Sequence, residues 1–157
     1  MKKICLILIT SFTIMSSLHA QKAASAIFFE LGGPGLASLN YDMRFQKKED
    51  GLGFRVGFGG FSIDGVSVVT VPVGLTYLLG KDEKNYFEIG GGVTYVNAKE
   101  TVSNDNETFG GTFGHLNFGY RMAPKNGGFF FRAAINPIFG QGGFVPFYGG
   151  IAFGYKF

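Results

Sequence analysis

Apolar and polar residues alternate with a period of two along most of this chain, and this feature constrains its fold most. The segment Ser38–Phe45 shows the pattern clearly. Its apolar residues are Leu39, Tyr41, Met43 and Phe45, and its polar residues are Ser38, Asn40, Asp42 and Arg44. Strict alternation over this length predicts a β-strand with chemically different faces. The pattern recurs in about eight segments: 26–32, 38–45, 53–60, 69–79, 86–96, 113–122, 129–139 and 147–157.

The length and number of these segments indicate a membrane barrel. A tilted transmembrane strand needs about 9–11 residues, and an even strand number closes an antiparallel barrel with both termini on one side. Such a barrel directs its apolar face outward to lipid and its polar face inward. Proline cannot donate to a strand ladder, so we expect Pro72 and Pro137 each to mark a bulge or a strand end.

The connections between the segments fall into two sets. Segments 46–51, 80–85 and 123–128 are compact, with charged residues, glycine and asparagine, and they predict tight turns at one end. Segments 32–35, 62–65, 97–111 and 140–146 form the second set and are predicted to be loops at the other end. The longest of these is 97–111. Barrels carry their longer loops outside the cell, so we expect the second set to face outward.

The first twenty residues differ from the rest of the chain. A basic start at Lys2 and Lys3, an apolar run over 4–15 and a short polar end at Ala20 are typical of a secretory signal peptide. We expect cleavage after Ala20, which leaves 21–157 as a single barrel domain. Cys5 is the only cysteine and lies in the removed part, so no disulfide is expected.

Composition argues for the membrane and against nucleic acid. After removal of the signal peptide, 12 Lys and Arg balance 11 Asp and Glu, and no basic run is interleaved with aromatic residues. The whole chain has 26 glycines and 19 phenylalanines but no tryptophan. The mature part has no apolar stretch long enough for a membrane helix. Export and a high aromatic content therefore favour β-structure in a membrane.

The inward face is predicted to carry a polar network. Its members would be Glu30, Asp42, Arg44, Arg55, Glu88, His115, Arg121, Arg132 and Lys156. An eight-stranded barrel has an interior just wide enough for side chains, and inward glycines would make room for these large residues. Buried charges must pair, so we expect ion pairs across the lumen. The network is interpreted as a structural plug, and the alternative is an ion path or a proton-linked gate.

No constellation of residues predicts catalysis, a cofactor or a metal. His115 is the only histidine of the mature chain, and no serine lies two residues away on its face, so a catalytic triad is not expected. The segment SNDNE (103–107) could hold calcium weakly but lacks a full ligand set, and a solvated loop tip is expected there. The glycine-rich segments 32–35, 57–61 and 90–92 precede no helix and are not phosphate cradles.

The C-terminal segment IAFGYKF (151–157) carries a family resemblance. Ile151, Phe153, Tyr155 and Phe157 alternate up to a terminal aromatic residue. This pattern resembles the C-terminal signature of bacterial outer-membrane barrels. The resemblance implies that the barrel-assembly machinery recognises this terminal strand. The mature chain, including FEIGGGVTY (87–95) and GGFFFRAAINPIF (127–139), resembles small eight-stranded barrels of the OmpA/OmpX type. That family contains adhesins, anchors, lipid-modifying enzymes and uncharacterised proteins, so it implies a location rather than an activity.

The sequence therefore predicts an all-β, eight-stranded antiparallel barrel in the outer membrane with a structural or surface-interaction role and no enzymatic activity. Its expected partners are outer-membrane lipid and the assembly machinery; we expect a monomer, and no surface ligand can be specified. Three alternatives are a narrow channel for small solutes, an enzyme that modifies lipid A, and a soluble lipocalin-like barrel with a ligand in its lumen.

Overall fold

The computed structural model describes residues 23–63, 65–102 and 105–157. The predicted signal peptide, residues 1–20, lies outside the described residues. Within them the chain forms ten strands: β1 (Ser25–Gly32), β2 (Ala37–Arg44), β3 (Gly51–Ile63), β4 (Val66–Leu79), β5 (Asn85–Val102), β6 (Asp105–Met122), β7 (Gly128–Ile135), β8 (Ile138–Gly140), β9 (Gly143–Val145) and β10 (Gly149–Lys156). No helix in this part of the chain is long and apolar enough to cross a membrane.

Eight of these strands close into a barrel. The pairing order is β5, β4, β3, β2, β1, β10, β7 and β6, and an additional pairing of β5 with β6 completes the ring. All pairings are antiparallel, including that of β1 with β10. The remaining two strands, β8 and β9, form a hairpin that pairs with β6. The predicted eight-stranded antiparallel barrel is confirmed.

The barrel has two distinct ends. At the terminal end, Ser25 and Phe157 are joined by two backbone hydrogen bonds of 3.3 and 2.9 Å. Three short connections, at 45–50, 80–84 and 123–127, lie at the same end, as the compact set predicted. The opposite end carries the connection at 33–36, the turn between β3 and β4, and two projecting hairpins. We call these the terminal end and the opposite end.

The opposite end differs from the prediction of loops. Strand β5 continues to Val102 and β6 begins at Asp105, so most of the predicted loop 97–111 is an extended hairpin with unbroken register. Likewise β9 occupies Gly143–Val145 within the predicted loop 140–146. The loop predictions were wrong here because a hairpin that projects beyond the barrel needs no apolar face. Its polar composition therefore does not distinguish it from a loop.

The two prolines behave differently. Pro72 lies inside β4 and pairs with Thr94 on β5, so the expectation of a bulge or strand end was wrong. The ladder to β3 is instead interrupted opposite Pro72, between the Val56–Val73 and Gly59–Thr70 pairs, with the register unchanged. At Pro137 the prediction is confirmed, because β7 ends at Ile135 and β8 begins at Ile138. The missing N–H of proline explains both interruptions.

A bulge lies nearby, between β9 and β10. Residues 146–148 separate β9 from β10, whereas only residues 136 and 137 separate β7 from β8 on the partner side. The extra residue shifts the register by one position, which is the definition of a β-bulge. The β8–β9 hairpin is therefore offset from the wall formed by β7 and β10.

Side-chain exposure divides the barrel into an apolar exterior and a polar interior. The exposed apolar side chains include Ile27, Phe29, Leu39, Leu75, Phe87, Phe118, Ile135, Ile151 and Phe153. Buried charged side chains include Glu30, Asp42, Arg44, Arg55, Glu88, Arg121 and Arg132. This is the reverse of a soluble protein, in which extended apolar surface is rarely left exposed. It is the arrangement of a barrel surrounded by lipid.

Candidate functional site

The interior holds an alternating row of charged groups, which we call the ion-pair chain. It runs in the order Arg44, Asp42, Arg121, Glu88, Arg132, Glu30 and Arg55. Strand β2 supplies Asp42 and Arg44, and each other member lies on a different strand of the ring. The chain therefore connects six of the eight barrel strands through their inward side chains.

Asp42 lies near one end of the ion-pair chain and binds two arginines. Arg44 donates through one terminal nitrogen to both carboxylate oxygens, at 2.7 and 2.8 Å. Arg121 donates through both terminal nitrogens, at 2.9 and 3.1 Å, in a bidentate pair. Arg44 also donates to the Thr76 hydroxyl at 2.5 Å. Bidentate charge-assisted hydrogen bonds are among the strongest in proteins, so Asp42 is firmly held.

Glu88 lies in the middle of the ion-pair chain. It accepts hydrogen bonds from Arg121 Nε at 2.5 Å, from Arg132 Nε at 2.9 Å and from the Asn117 side-chain amide at 2.5 Å. The carboxylate is fully buried. Burying a carboxylate is costly unless it is paired and hydrogen-bonded, and here both oxygens are engaged.

Glu30 and Arg55 complete the ion-pair chain toward the opposite end. Glu30 accepts from Arg132 through one oxygen and from Arg55 through the other. Arg55 also donates to Asn40 Oδ1, from Nε at 3.0 Å and from Nη2 at 2.9 Å. Asn40 in turn donates to the Ser38 hydroxyl at 2.9 Å. Neutral amides and hydroxyls thus extend the hydrogen bonding beyond the charged groups.

Inward glycines provide the space for these large side chains, as the sequence suggested. A Cβ atom on Gly53 would lie 2.2 Å from the guanidinium carbon of Arg44. A Cβ atom on Gly57 would lie 2.2 Å from Asn40 Oδ1. Both distances are far below van der Waals contact, so any other residue at these positions would displace the network.

Two inward phenylalanines pack against the ion-pair chain, and the sequence reasoning missed them. The rings of Phe28 and Phe130 stack with centroids 4.7 Å apart. The guanidinium of Arg55 lies 5.3 Å from the Phe28 centroid, and that of Arg121 lies 5.2 Å from the Phe130 centroid. Such cation–π contacts stabilise buried guanidinium groups. An apolar cluster surrounds the pair and consists of Ala26, Leu78, Tyr86, Ala123 and Ala152.

The two other residues predicted for the network lie apart from the ion-pair chain. Lys156 is buried at the terminal end, where it pairs with Glu49 at 2.5 Å and donates to the backbone oxygens of Pro124 and Lys125. His115 is buried on β6, and its Nδ1 lies 3.3 Å from the Thr94 hydroxyl. Among the described residues its ring joins no ion pair.

The chemical capacity of this interior is limited. Four guanidinium groups face three carboxylates, and each carboxylate is bound by two arginines. No group of three or more metal-ligating side chains occurs among the described residues. The cavity beside Asp42, Arg44 and Arg121 has a volume of only about 10 Å³. That is about the space of one water molecule.

The residues of the predicted C-terminal signal are exposed on the exterior. Ile151, Phe153 and Tyr155 alternate along the outward face of β10, and Phe157 follows the strand directly. Phe153 contacts Phe131 and Phe129 on β7, with ring centroids 5.4 and 6.4 Å apart. Their recognition by an assembly machinery stays a prediction.

No protein-family model and no curated protein sequence matches this chain. Solved structures do. The N-terminal β-barrel domain of Pseudomonas aeruginosa OprF matches with a TM-score of 0.64 and 14% identity, over 86% of this chain and 96% of that one. Ail, the attachment invasion locus protein of Yersinia pestis, matches with a TM-score of 0.54 and 16% identity, over 86% and 97% of the two chains.

A third solved structure has the same architecture. Neisserial surface protein A matches with a TM-score of 0.53 and 12% identity, over 85% of this chain and 92% of that one. All three matches span nearly the whole neighbouring chain, so the similarity concerns the complete barrel. At these identities it shows the fold alone. The chain therefore has the fold of the small eight-stranded outer-membrane β-barrels of the OmpA/OmpX type.

Proposed function

We propose that this protein is an integral outer-membrane barrel with a structural or surface-interaction role, whose lumen is plugged by the ion-pair chain. The observation that carries the proposal is the orientation of the strands, with apolar side chains outward and seven linked charges inward. One structural neighbour, Ail, supports the location, since it is an outer membrane protein of Yersinia pestis.

The plugged lumen is supported by the way in which the interior is filled. The ion-pair chain crosses the barrel between strands that are not neighbours, for example from Glu30 on β1 to Arg132 on β7. A solute would have to break several buried ion pairs to pass. Eight-stranded barrels are also too narrow for an aqueous channel once their interior is filled with side chains.

The non-enzymatic role is supported by the surroundings of His115. A general base needs a nucleophile and an orienting carboxylate within hydrogen-bond reach. The hydrogen-bond partner of His115 in the described part of the chain is Thr94. The side chains that could serve a surface role are instead at the opposite end, where Phe144 and Phe147 are strongly exposed on and beside β9. One neighbour, Ail, is an attachment invasion locus protein.

The test combines location and conductance. We expect the protein in the outer-membrane fraction, with faster gel migration before boiling than after it. We also expect no single-channel current in planar bilayers at high protein load. Recovery as a soluble periplasmic protein would overturn the membrane location. Reproducible conductance that changes in a Glu88→Gln variant would replace the plug with the narrow channel.

A further inference from the structure

The opposite end contains an apolar cavity beside strand β6 that the proposed role does not use. Its volume is about 440 Å³, within the usual size range of ligand pockets. The lining comes from β5, β6 and the β8–β9 hairpin. Its apolar side chains are Val96, Ala98, Phe113, Ile138 and Val145, and glycines make up most of the remaining lining. We call it the side cavity.

The apolar side chains of the side cavity belong to the inward face of the sheet. Side chains of a strand alternate between its faces, so the inward face of β5 continues from Thr94 to Val96 and Ala98. On β6 it continues in the same way from His115 to Phe113. Thr94 and His115 are buried, and the Thr94 hydroxyl lies 3.3 Å from His115 Nδ1. The interior therefore changes from polar to apolar above this hydrogen-bonded pair.

The side cavity also reaches the exterior, around an edge of β6. Residues 110–113 all line it, although consecutive residues of a strand point to opposite faces. A cavity lined by both faces of a strand must pass the edge of that strand. Within the described residues, the ladder from β6 to β8 ends at the Gly114–Phe139 pair, whereas β6 itself begins at Asp105. The gap between β6 and the tip of the β8–β9 hairpin therefore forms a lateral opening.

Aromatic side chains on the exterior flank this opening. Tyr95 is 50% exposed, and its hydroxyl oxygen would lie 3.8 Å from a Cβ atom on Gly110. Phe139 is also exposed, and its ring covers Gly114 so closely that a Cβ atom there would clash with it. Outward aromatic side chains near strand ends are typical of the girdle at a bilayer interface. The side cavity thus opens next to lipid.

We propose that the side cavity binds the aliphatic chain of a single-chain amphiphile that enters from the bilayer. The apolar inward face contacts the chain, while the exposed polar side chains of Thr112 and Gln141 lie beside its head. The described lining residues include no charged side chain, so the head is expected to be uncharged. Because the ion-pair chain closes the lumen toward the terminal end, the ligand is bound rather than conducted.

Gly111 offers a way to fill the side cavity without disturbing the fold. It lies opposite Val96 on the inward face, and a Cβ atom on it would meet no atom within 4 Å. Gly111→Leu therefore occupies the cavity. Gly149→Leu is the matched control, because a Cβ atom there also meets no atom within 4 Å and the residue lies on the exterior, opposite Ile135. A second pair is Val96→Thr, which adds a hydroxyl to the lining, and Val93→Thr on the exterior of the same strand.

The experiment uses NMR on the intact barrel in nanodiscs of chain-deuterated phospholipid, with protonated 1-dodecanol as the probe. The protein is deuterated except at selected methyl groups, so nuclear Overhauser effects from the probe identify the methyl groups that its chain contacts. The inward reporters are Ile138 and Val145, which pair with each other, and the exterior reporter is Leu116. Contacts at Leu116 are expected in every sample, because the probe dissolves in the bilayer, and they show that it is present.

We expect saturable contacts at Ile138 and Val145 in the wild-type protein and in both control variants. Val96→Thr should weaken binding about tenfold, because the chain would bury the added hydroxyl. Gly111→Leu should abolish the inward contacts and leave those at Leu116. Inward contacts that persist in Gly111→Leu, or that never appear while Leu116 is contacted, would overturn the proposal. Inward contacts that appear only with protonated phospholipid would assign the side cavity to a phospholipid chain and also overturn it. Preserved amide spectra report that each variant is folded.

Discussion

The ion-pair chain and the projecting hairpins of the opposite end share strands but are held in different ways. Strand β5 contributes to both. Its Glu88 accepts hydrogen bonds from three side chains on β6 and β7. From Asn97 to Val102 the same strand pairs with β6 and in part with β4. In the second hairpin, β8 is the one strand that pairs with β9 within the described part of the chain.

This contrast teaches where the stability of the barrel is concentrated. Interior side chains link strands that are distant around the ring, so the loss of one affects several strands. A two-stranded hairpin is marginally stable by itself, and it can vary without cost to the barrel. The interior would therefore preserve the fold, whereas the hairpins of the opposite end are free to serve surface interactions. The following predictions test this division.

The largest effect is expected at Glu88. Changing Glu88→Ala leaves Arg121 and Arg132 buried without their shared carboxylate. Breaking a buried ion pair by removing one partner costs about 3–5 kcal/mol, because an uncompensated charge remains. The free energy of unfolding, measured by urea titration in lipid vesicles, should fall by this amount.

A matched control for Glu88 is Glu83, which pairs with Lys125 at the surface with 60% of its side chain exposed. Surface ion pairs contribute about 0–1 kcal/mol, so Glu83→Ala should change the free energy of unfolding little. Equal losses in the two variants would contradict the view that interior ion pairs hold the barrel together.

The second prediction compares the exterior of the barrel with the β8–β9 hairpin. Phe29 lies at the middle of β1 and is 47% exposed, while Phe144 on β9 is 64% exposed. An arginine facing lipid near the bilayer midplane costs about 2–4 kcal/mol, falling to about 0–1 near the interface. Phe29→Arg should therefore destabilise the inserted barrel much more than Phe144→Arg in the same urea titration. A soluble barrel would tolerate both changes.

The third prediction uses glycines in the two regions. A Cβ atom on Gly92 would lie 2.1 Å from the backbone oxygen of Val73, whereas one on Gly111 would meet no atom within 4 Å. Forcing an extra methyl group into a packed site costs about 1–3 kcal/mol. Gly92→Ala should lower the free energy of unfolding by that amount, and Gly111→Ala should leave it within about 0.5 kcal/mol. The reverse order would show that the hairpins are packed as tightly as the barrel.

The same two regions explain how much the sequence could predict. Alternation placed Arg55 and Arg132 on the inward face because polar residues stand out against apolar neighbours. Phe28 and Phe130 were missed because each lies next to an outward phenylalanine. The sequence there shows no alternation between apolar and polar residues. The order of the ion-pair chain depends on the register between strands that are far apart in sequence. The hairpin over 97–111 was missed because its pairing requires backbone partners rather than an apolar face.

The smallest effect is expected at the turn 80–84 of the terminal end, where local hydrogen bonds form around the exposed side chain of Asp82. Asp82 Oδ2 accepts from the Asn85 side chain at 2.5 Å, and Oδ1 accepts from the Asn85 and Lys84 backbone N–H groups at 2.7 and 3.2 Å. These bonds, led by the one from the Asn85 side chain, lower the pKa of Asp82 below the usual aspartate value.

Because the pKa is lower in the folded state, the ionised carboxylate stabilises the turn fully at pH values above the usual aspartate pKa of about 3.9. This stabilisation is lost as the pH falls through the lower pKa of the folded state. We expect the Asp82 carboxyl signal in an NMR titration to have its midpoint below 3.9. Asn85→Ala should move the midpoint back toward that value. An unchanged midpoint would show that the turn, like the projecting hairpins, is held by its strands alone and owes nothing to side-chain hydrogen bonds.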